Sequence, residues 1–174
     1  MSFSMSQTLF PTLEIGLSAL SGFLDKAEAF AATKKVEPSV LLNSRLAPDM
    51  FPFLRQVQVV SDQAKNGSSR LAGIEPPAFE DSETTIAELK ARIAKTVAHL
   101  KTIDRAKVDA SAEREITFPL GGQNKGHMTG ADFLSHFILP NFYFHLTAAY
   151  VILRHCGVEL GKRDFLGGIP LRRS

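Results

Sequence analysis

The sequence predicts an all-α fold: a four-helix bundle with one short strand or hairpin excursion before the last long helix. Three observations carry this. Four long segments place apolar residues every three or four positions. Only one stretch, Glu115–Ile116–Thr117–Phe118–Pro119–Leu120, reads as strand, ahead of a Gly121–Gly122 turn. The 174 residues, 44% hydrophobic and 22% charged, show no internal repeat and suit one domain over 1–174.

Taken in order, Leu9, Leu13, Leu17, Leu20, Leu24 and Ala27 define a first helix over about 6–33. Pro11 favours a start near Thr8 to Pro11, because proline suits a first turn. The first lysine is Lys26, so this apolar segment lacks the basic region of a signal peptide. No run approaches the roughly 18 apolar residues of a membrane span, and a cytoplasmic protein is expected. Ser39 to Leu46 suggests a short helical link. Pro48 and Pro52 bracket the start of the next helix, with Asp49 as N-cap. Its face is Phe53, Val57, Val60 and Ala64, and Gly67 or Gly73 marks its end. Pro76–Pro77 makes 74–81 a loop. From about Ser82, Ile86, Leu89, Ile93, Val97, Leu100 and Ile103 form the cleanest stripe in the chain. Thr129, with Asp132 three residues on, caps a fourth helix that runs to His155 and stops at Gly157. The terminal GKRDFLGGIPLRRS is too rich in glycine for another long helix.

Composition excludes several kinds of chemistry. One cysteine rules out an intramolecular disulfide framework and multi-cysteine metal sites. A net charge of +2 argues against a dedicated nucleic-acid binder. The local surplus at Arg154, Lys162, Arg163, Arg172 and Arg173 reads as a solvated tail. No G-x-G-x-x-G loop is present. Cys156 falls at a helix C-terminus, the wrong end to activate a thiolate.

Side chains that point into a bundle supply its chemistry. His99 shares a face with Arg92, Lys95 and Thr96 and reads as surface; His127 lies in a glycine-rich loop; His155 suits the negative end of its helix. His136 and His145 are nine residues apart, about 900° of helix, which puts them on opposite faces unless Pro140 breaks the helix. Asn141 and His145 are four apart and share a face, as do Gln58 and Asp62. Whether Gln58 and Asp62 are buried or wet stays open. If Asp62 is buried it needs a partner, and Arg55 and Lys65 are near in sequence.

The stretches LAPDMFPFLRQVQVVSDQAK, RLAG with the following Pro-Pro-Phe, and LPNFYFHLTAAYVILRHCGVELGKRDFLG together resemble an uncharacterised family, a domain of unknown function in the DinB/YfiT-like superfamily. The resemblance covers nearly the whole chain. It implies a four-helix bundle and a homodimer. Many members bind one divalent metal through three histidines, one on the second helix and two, four residues apart, on the last; some are thiol-dependent transferases. Carried onto this chain, those positions fall on Gln58, Asn141 and His145, so one histidine of three is retained. Neutral amides are weak ligands for zinc, nickel or iron.

The sequence supports two functional readings. One is a binding or structural module with a degenerate metal site at Gln58, Asn141 and His145, Asp62 beside it, no cofactor, and a small-molecule ligand. The alternative is a metal- or thiol-dependent transferase that keeps one divalent ion (Zn, Ni or Fe) on His145, with Asp62 or His136 recruited. Neither expects a nucleic-acid or membrane partner. Phe118, Phe133, Phe137, Phe142, Phe144 and Phe165 are expected to fill the bundle.

Overall fold

The computed structural model describes residues 4–168. Its long helices are α1 (Met5–Lys34), α3 (Phe53–Ala72), α4 (Ile86–Thr102) and α6 (Gly130–His155). Short helices α2 (Pro38–Asn43), α5 (Arg105–Asp109) and α7 (Lys162–Leu166) join or extend them. Strands β1 (Glu115–Pro119) and β2 (Lys125–Thr129) form an antiparallel hairpin in which Thr117 faces His127. This is the expected all-α four-helix bundle with its hairpin before the last long helix.

Several boundaries move, each for a local reason. α1 begins before Pro11, because Ser4 and Gln7 form a reciprocal capping box and hold the first turn. Asp49 is not the cap of α3; that helix begins after Pro52 with no side-chain cap, and the buried Phe53 starts its apolar face. It runs through Gly67 and ends at Gly73, whose φ of 71° is left-handed. α4 begins later than Ser82, at Ile86, where Thr85 and Glu88 form a second capping box. Residues 74–85 are therefore a longer non-helical strap than expected.

The core runs the length of the bundle. Leu9, Leu13, Leu17, Leu20, Leu24 and Ala27 are all buried, as the spacing in α1 requires. α6 is the one described helix long and apolar enough, by length and composition, to cross a membrane. In this bundle Phe142, Leu146, Ala149 and Leu153 are instead buried in the shared core. Its Phe133–Ile138 segment is π-helical and directly precedes Pro140, which lacks the N–H to close an α-helical bond. The helix continues through Pro140 rather than breaking. Phe118, Phe133 and Phe137 cluster with centroids 4.3–5.3 Å apart, joining hairpin to helix. Phe144 departs from the expected filling: it is 63% exposed. Arg172 and Arg173 lie outside the described residues.

α3 and α6 meet closely at Gly67, where an added Cβ would sit 2.8 Å from Ile138 side-chain carbons. Ile138 is fully buried and has no room to retreat. Gly67→Ala is expected to lower stability by about 1–3 kcal/mol, as overpacking does. Urea denaturation measures it; an unchanged midpoint would show that the contact is not tight.

Candidate functional site

The polar residues of α3 divide into two groups, one facing the strap and one facing α6. The strap group is organised by Arg92 of α4. Its side chain is 1% exposed, so its charge must be met by neighbours. Nη2 donates to Asp62 at 2.8 Å and lies 3.0 Å from Asp81; Nη1 donates to Glu83 and to the Glu80 carbonyl, each at 3.0 Å. Lys65, also buried, donates to the Pro77 carbonyl at 2.7 Å and lies 3.5 Å from Asp62. Arg55 pairs with Asp81 and donates to Gln58 Oε1 at 3.1 Å; Gln58 Nε2 donates to Glu83 at 2.9 Å. Phe79 lies under the Lys65 and Lys95 ammonium groups at 4.5 and 4.0 Å.

These contacts tie the strap across α3 and α4. Burial by itself would raise the Glu83 pKa; the bonds from Gln58 and Arg92 outweigh it and hold the carboxyl below its ordinary value. Burial lowers the Lys65 pKa, opposed by Asp62. Arg92 and Thr96 are thus interior, not the surface face that periodicity suggested. Thr96 hydroxyl donates to the Arg92 carbonyl at 2.9 Å and meets Ser61 at 2.6 Å. His99, half-buried, meets Ser69 Oγ at 2.8 Å.

The second group centres on His145 of α6. Its Nδ1 lies 2.7 Å from Gln56 Oε1, and Gln56 Nε2 donates to the Phe51 carbonyl at 3.1 Å. That chain sets the imidazole's tautomer. A backbone carbonyl only accepts, so it holds the Gln56 amide with its NH₂ outward and its oxygen toward the ring. Nδ1 must then carry the hydrogen, leaving Nε2 with a bare lone pair. Nε2 has no partner among the described residues, and it is not among their fully buried unpartnered atoms. Burial and the nearby Arg55 guanidinium hold the His145 pKa below the ordinary histidine value, so the ring is neutral at pH 7.

No hydrogen bond joins any two of the expected trio among the described residues. Gln58 is committed to Arg55 and Glu83, and Asn141 Nδ2 donates back to the Phe137 carbonyl at 2.7 Å. Asp62 pairs with Arg92 and with Lys65, one of the two partners near it in sequence, but not with Arg55. His136 is 70% exposed and lies 3.5 Å from Asp132, away from the core. Arg55 is the one residue that links the two groups, through its bond to Gln58 and its charge on His145. Periodicity and spacing gave Gln56 no role. Its signal is chemical: a buried glutamine in the first turn of a helix, near the carbonyl that precedes it, needs a partner for each end of its amide.

These residues do not fit a divalent metal. Tetrahedral zinc takes about four N, S or O donors, whereas this place offers one imidazole lone pair, the weakly donating Asn141 amide oxygen, a Gln58 oxygen already accepting from Arg55, and a neighbouring guanidinium that repels cations. Among the described residues no group of three or more His, Cys, Asp or Glu could hold an ion.

The architecture is that of a DinB-like helical bundle. A family profile described as "Domain of unknown function (DUF1993)" matches residues 5–166, and the chain belongs to that family. A crystal structure of a DinB family member protein from Shewanella denitrificans is 44% identical. The match covers 95% of this chain and 93% of that one, with a TM-score of 0.87. A search of curated proteins finds no match.

Arg92→Leu would leave Asp62, Asp81 and Glu83 without their shared cation. Fully buried pairs broken this way lose about 3–5 kcal/mol; with Asp81 and Asp62 partly exposed, about 2–3 kcal/mol is expected. Limited proteolysis should then cut within 74–85, and an intact strap at wild-type stability would refute the tie.

His145 and His99 both titrate below the ordinary value of 6.5 when folded. The unfolded chain takes up protons near that pH while the native state does not. Stability is therefore full above it and falls as pH drops below it, toward the depressed native pKa values. Urea denaturation across this window should show a shallower pH slope for His145→Gln than for the wild type. Parallel slopes would show that His145 is not held neutral.

Proposed function

We propose that this protein is a binding module whose bundle no longer carries a metal centre. The observation that supports the reading best is the His145–Gln56–Phe51 chain. It turns the surviving imidazole into a neutral hydrogen-bond acceptor, beside Arg55 where a cation would be disfavoured. The glutamine at 58 and asparagine at 141 serve other partners, one the strap and one the π-helical turn. On this reading the protein binds a small molecule at the α3–α6 face and assembles as a homodimer, the state its resemblance to DinB-like bundles implies.

The competing transferase reading keeps a divalent ion on His145. One untagged sample decides between them. Elemental analysis is expected to find far less than one equivalent of zinc, nickel, iron or manganese per chain. Sedimentation velocity on that sample is expected to give the dimer's mass. A stoichiometric divalent metal that His145→Ala removes would overturn the binding-module reading and establish the alternative.

A further inference from the structure

The metal-free reading leaves His145 Nε2 and Arg55 without an assigned ligand, and a ligand site at these two groups rests on that reading. Nε2 is an outward lone pair whose tautomer is imposed from behind by Gln56 and the Phe51 carbonyl. It calls for a group that donates a hydrogen. Arg55 uses Nη1 for Gln58 and Asp81; Nη2 and Nε have no hydrogen-bond partner among the described residues. Its side chain is about one-third exposed, at 34%. It favours a ligand whose donor atom carries, or readily takes on, negative charge.

The surroundings are apolar. Phe51 is 52% exposed, and the Arg55 guanidinium lies 5.8 Å from its ring centroid. Phe144 presents an edge-to-face contact to the His145 ring at 5.1 Å. From Phe144 a groove of about 400 Å³ continues along α6, lined by Met50, Tyr143, Thr147, Ala148 and Val151. Phe51 and Phe144 are both exposed, and Met50, next to Phe51 in the chain, lines the same groove as Phe144; contiguous exposed apolar surface marks binding sites. A ligand matching all three features has a flat apolar body and one weakly acidic hydroxyl.

We propose that His145 Nε2, Arg55, Phe51 and Phe144 form a binding site for a phenol-class molecule. Its hydroxyl donates to Nε2, Arg55 favours the polarised oxygen, and its ring lies between the two phenylalanines and the groove. A carboxylate fits less well, because it has no hydrogen for Nε2 at neutral pH. A simple aromatic ether has no hydrogen to donate at all. Gln56 is a positioning residue, acting only through the tautomer it imposes.

The probe is 4-nitrophenol, at a pH where it keeps its proton, titrated calorimetrically into the full chain with 4-nitroanisole and 4-nitrobenzoate as controls. Saturable one-to-one binding of the phenol is expected, with the ether weaker by about tenfold, the loss for one hydrogen bond. His145→Phe should remove that preference for phenol over ether. Gln56→Met should reduce it while leaving the ether's affinity unchanged, which a merely structural role for Gln56 would not do. Phe144→Ala, at an exposed position, should weaken phenol and ether alike. Equal affinity for phenol and ether, unchanged selectivity in His145→Phe, or no binding of 4-nitrophenol would each overturn the proposal. So would a second copy covering Phe144, seen as self-association that Phe144→Ala abolishes and 4-nitrophenol does not disturb. A chelator separates the two readings. Phenol binding that EDTA abolishes overturns the metal-free reading. Absent phenol binding in metal-free protein overturns only this site.

Discussion

One buried guanidinium organises the polar half of this bundle. Arg92 reaches from α4 into the seam with α3, where its charge cannot stay unpaired. Asp62 of α3 answers from one side, and Asp81, Glu83 and the Glu80 carbonyl answer from the strap. No residue of 74–85 is buried in the core, so these ion pairs, the Lys65 bond to Pro77 and the contacts of Phe79 decide where the strap lies. Gln58 is drawn into the same set through Glu83. Gln58 therefore serves as a strap anchor.

The other polar chain works by a different constraint. A turn over 46–50 leads into Pro52, Phe51 presents a carbonyl, and Gln56 in the first turn of α3 meets it. A carbonyl that only accepts dictates the orientation of an amide, and the amide dictates the tautomer of an imidazole. The outcome at His145 Nε2 is settled two hydrogen bonds away from it, at the Phe51 carbonyl. This arrangement has the form of the outer-shell support given to metal-binding histidines. Arg55 stands between the two chains and sets the sign of the local field.

Much of the fold was legible in the sequence. Four stripes of three-to-four spacing became four helices, because that spacing gathers leucine, isoleucine and phenylalanine on one face only in a helix, and packing those faces together removes them from water. The hairpin, the Thr129 cap and the Gly157 stop were readable from local chemistry. Boundaries moved where capping boxes at Ser4 and Thr85 overrode composition, and α3 ran through Gly67 because close packing on Ile138 has a use for the missing side chain. The faces of α4 were only partly legible. Arg92 and Thr96 look like a wet stripe until a strap with compensating charge covers them. Phe144 looks like core but stands outside it.

By itself, then, the sequence determined the helices, their apolar faces, the single domain-sized core and the kinship that points to α3 and α6. Those depend on short-range periodicity and on local caps, which any stretch of chain carries with it. Only the tertiary structure decided which polar side chains meet. Gln56 rather than Gln58 reaches His145 across 89 positions of chain, and Arg92 rather than Arg55 reaches Asp62 across 30. Helical spacing tells which residues share a face. It does not tell which face lies opposite, and hydrogen-bond pairing at a buried seam depends on that.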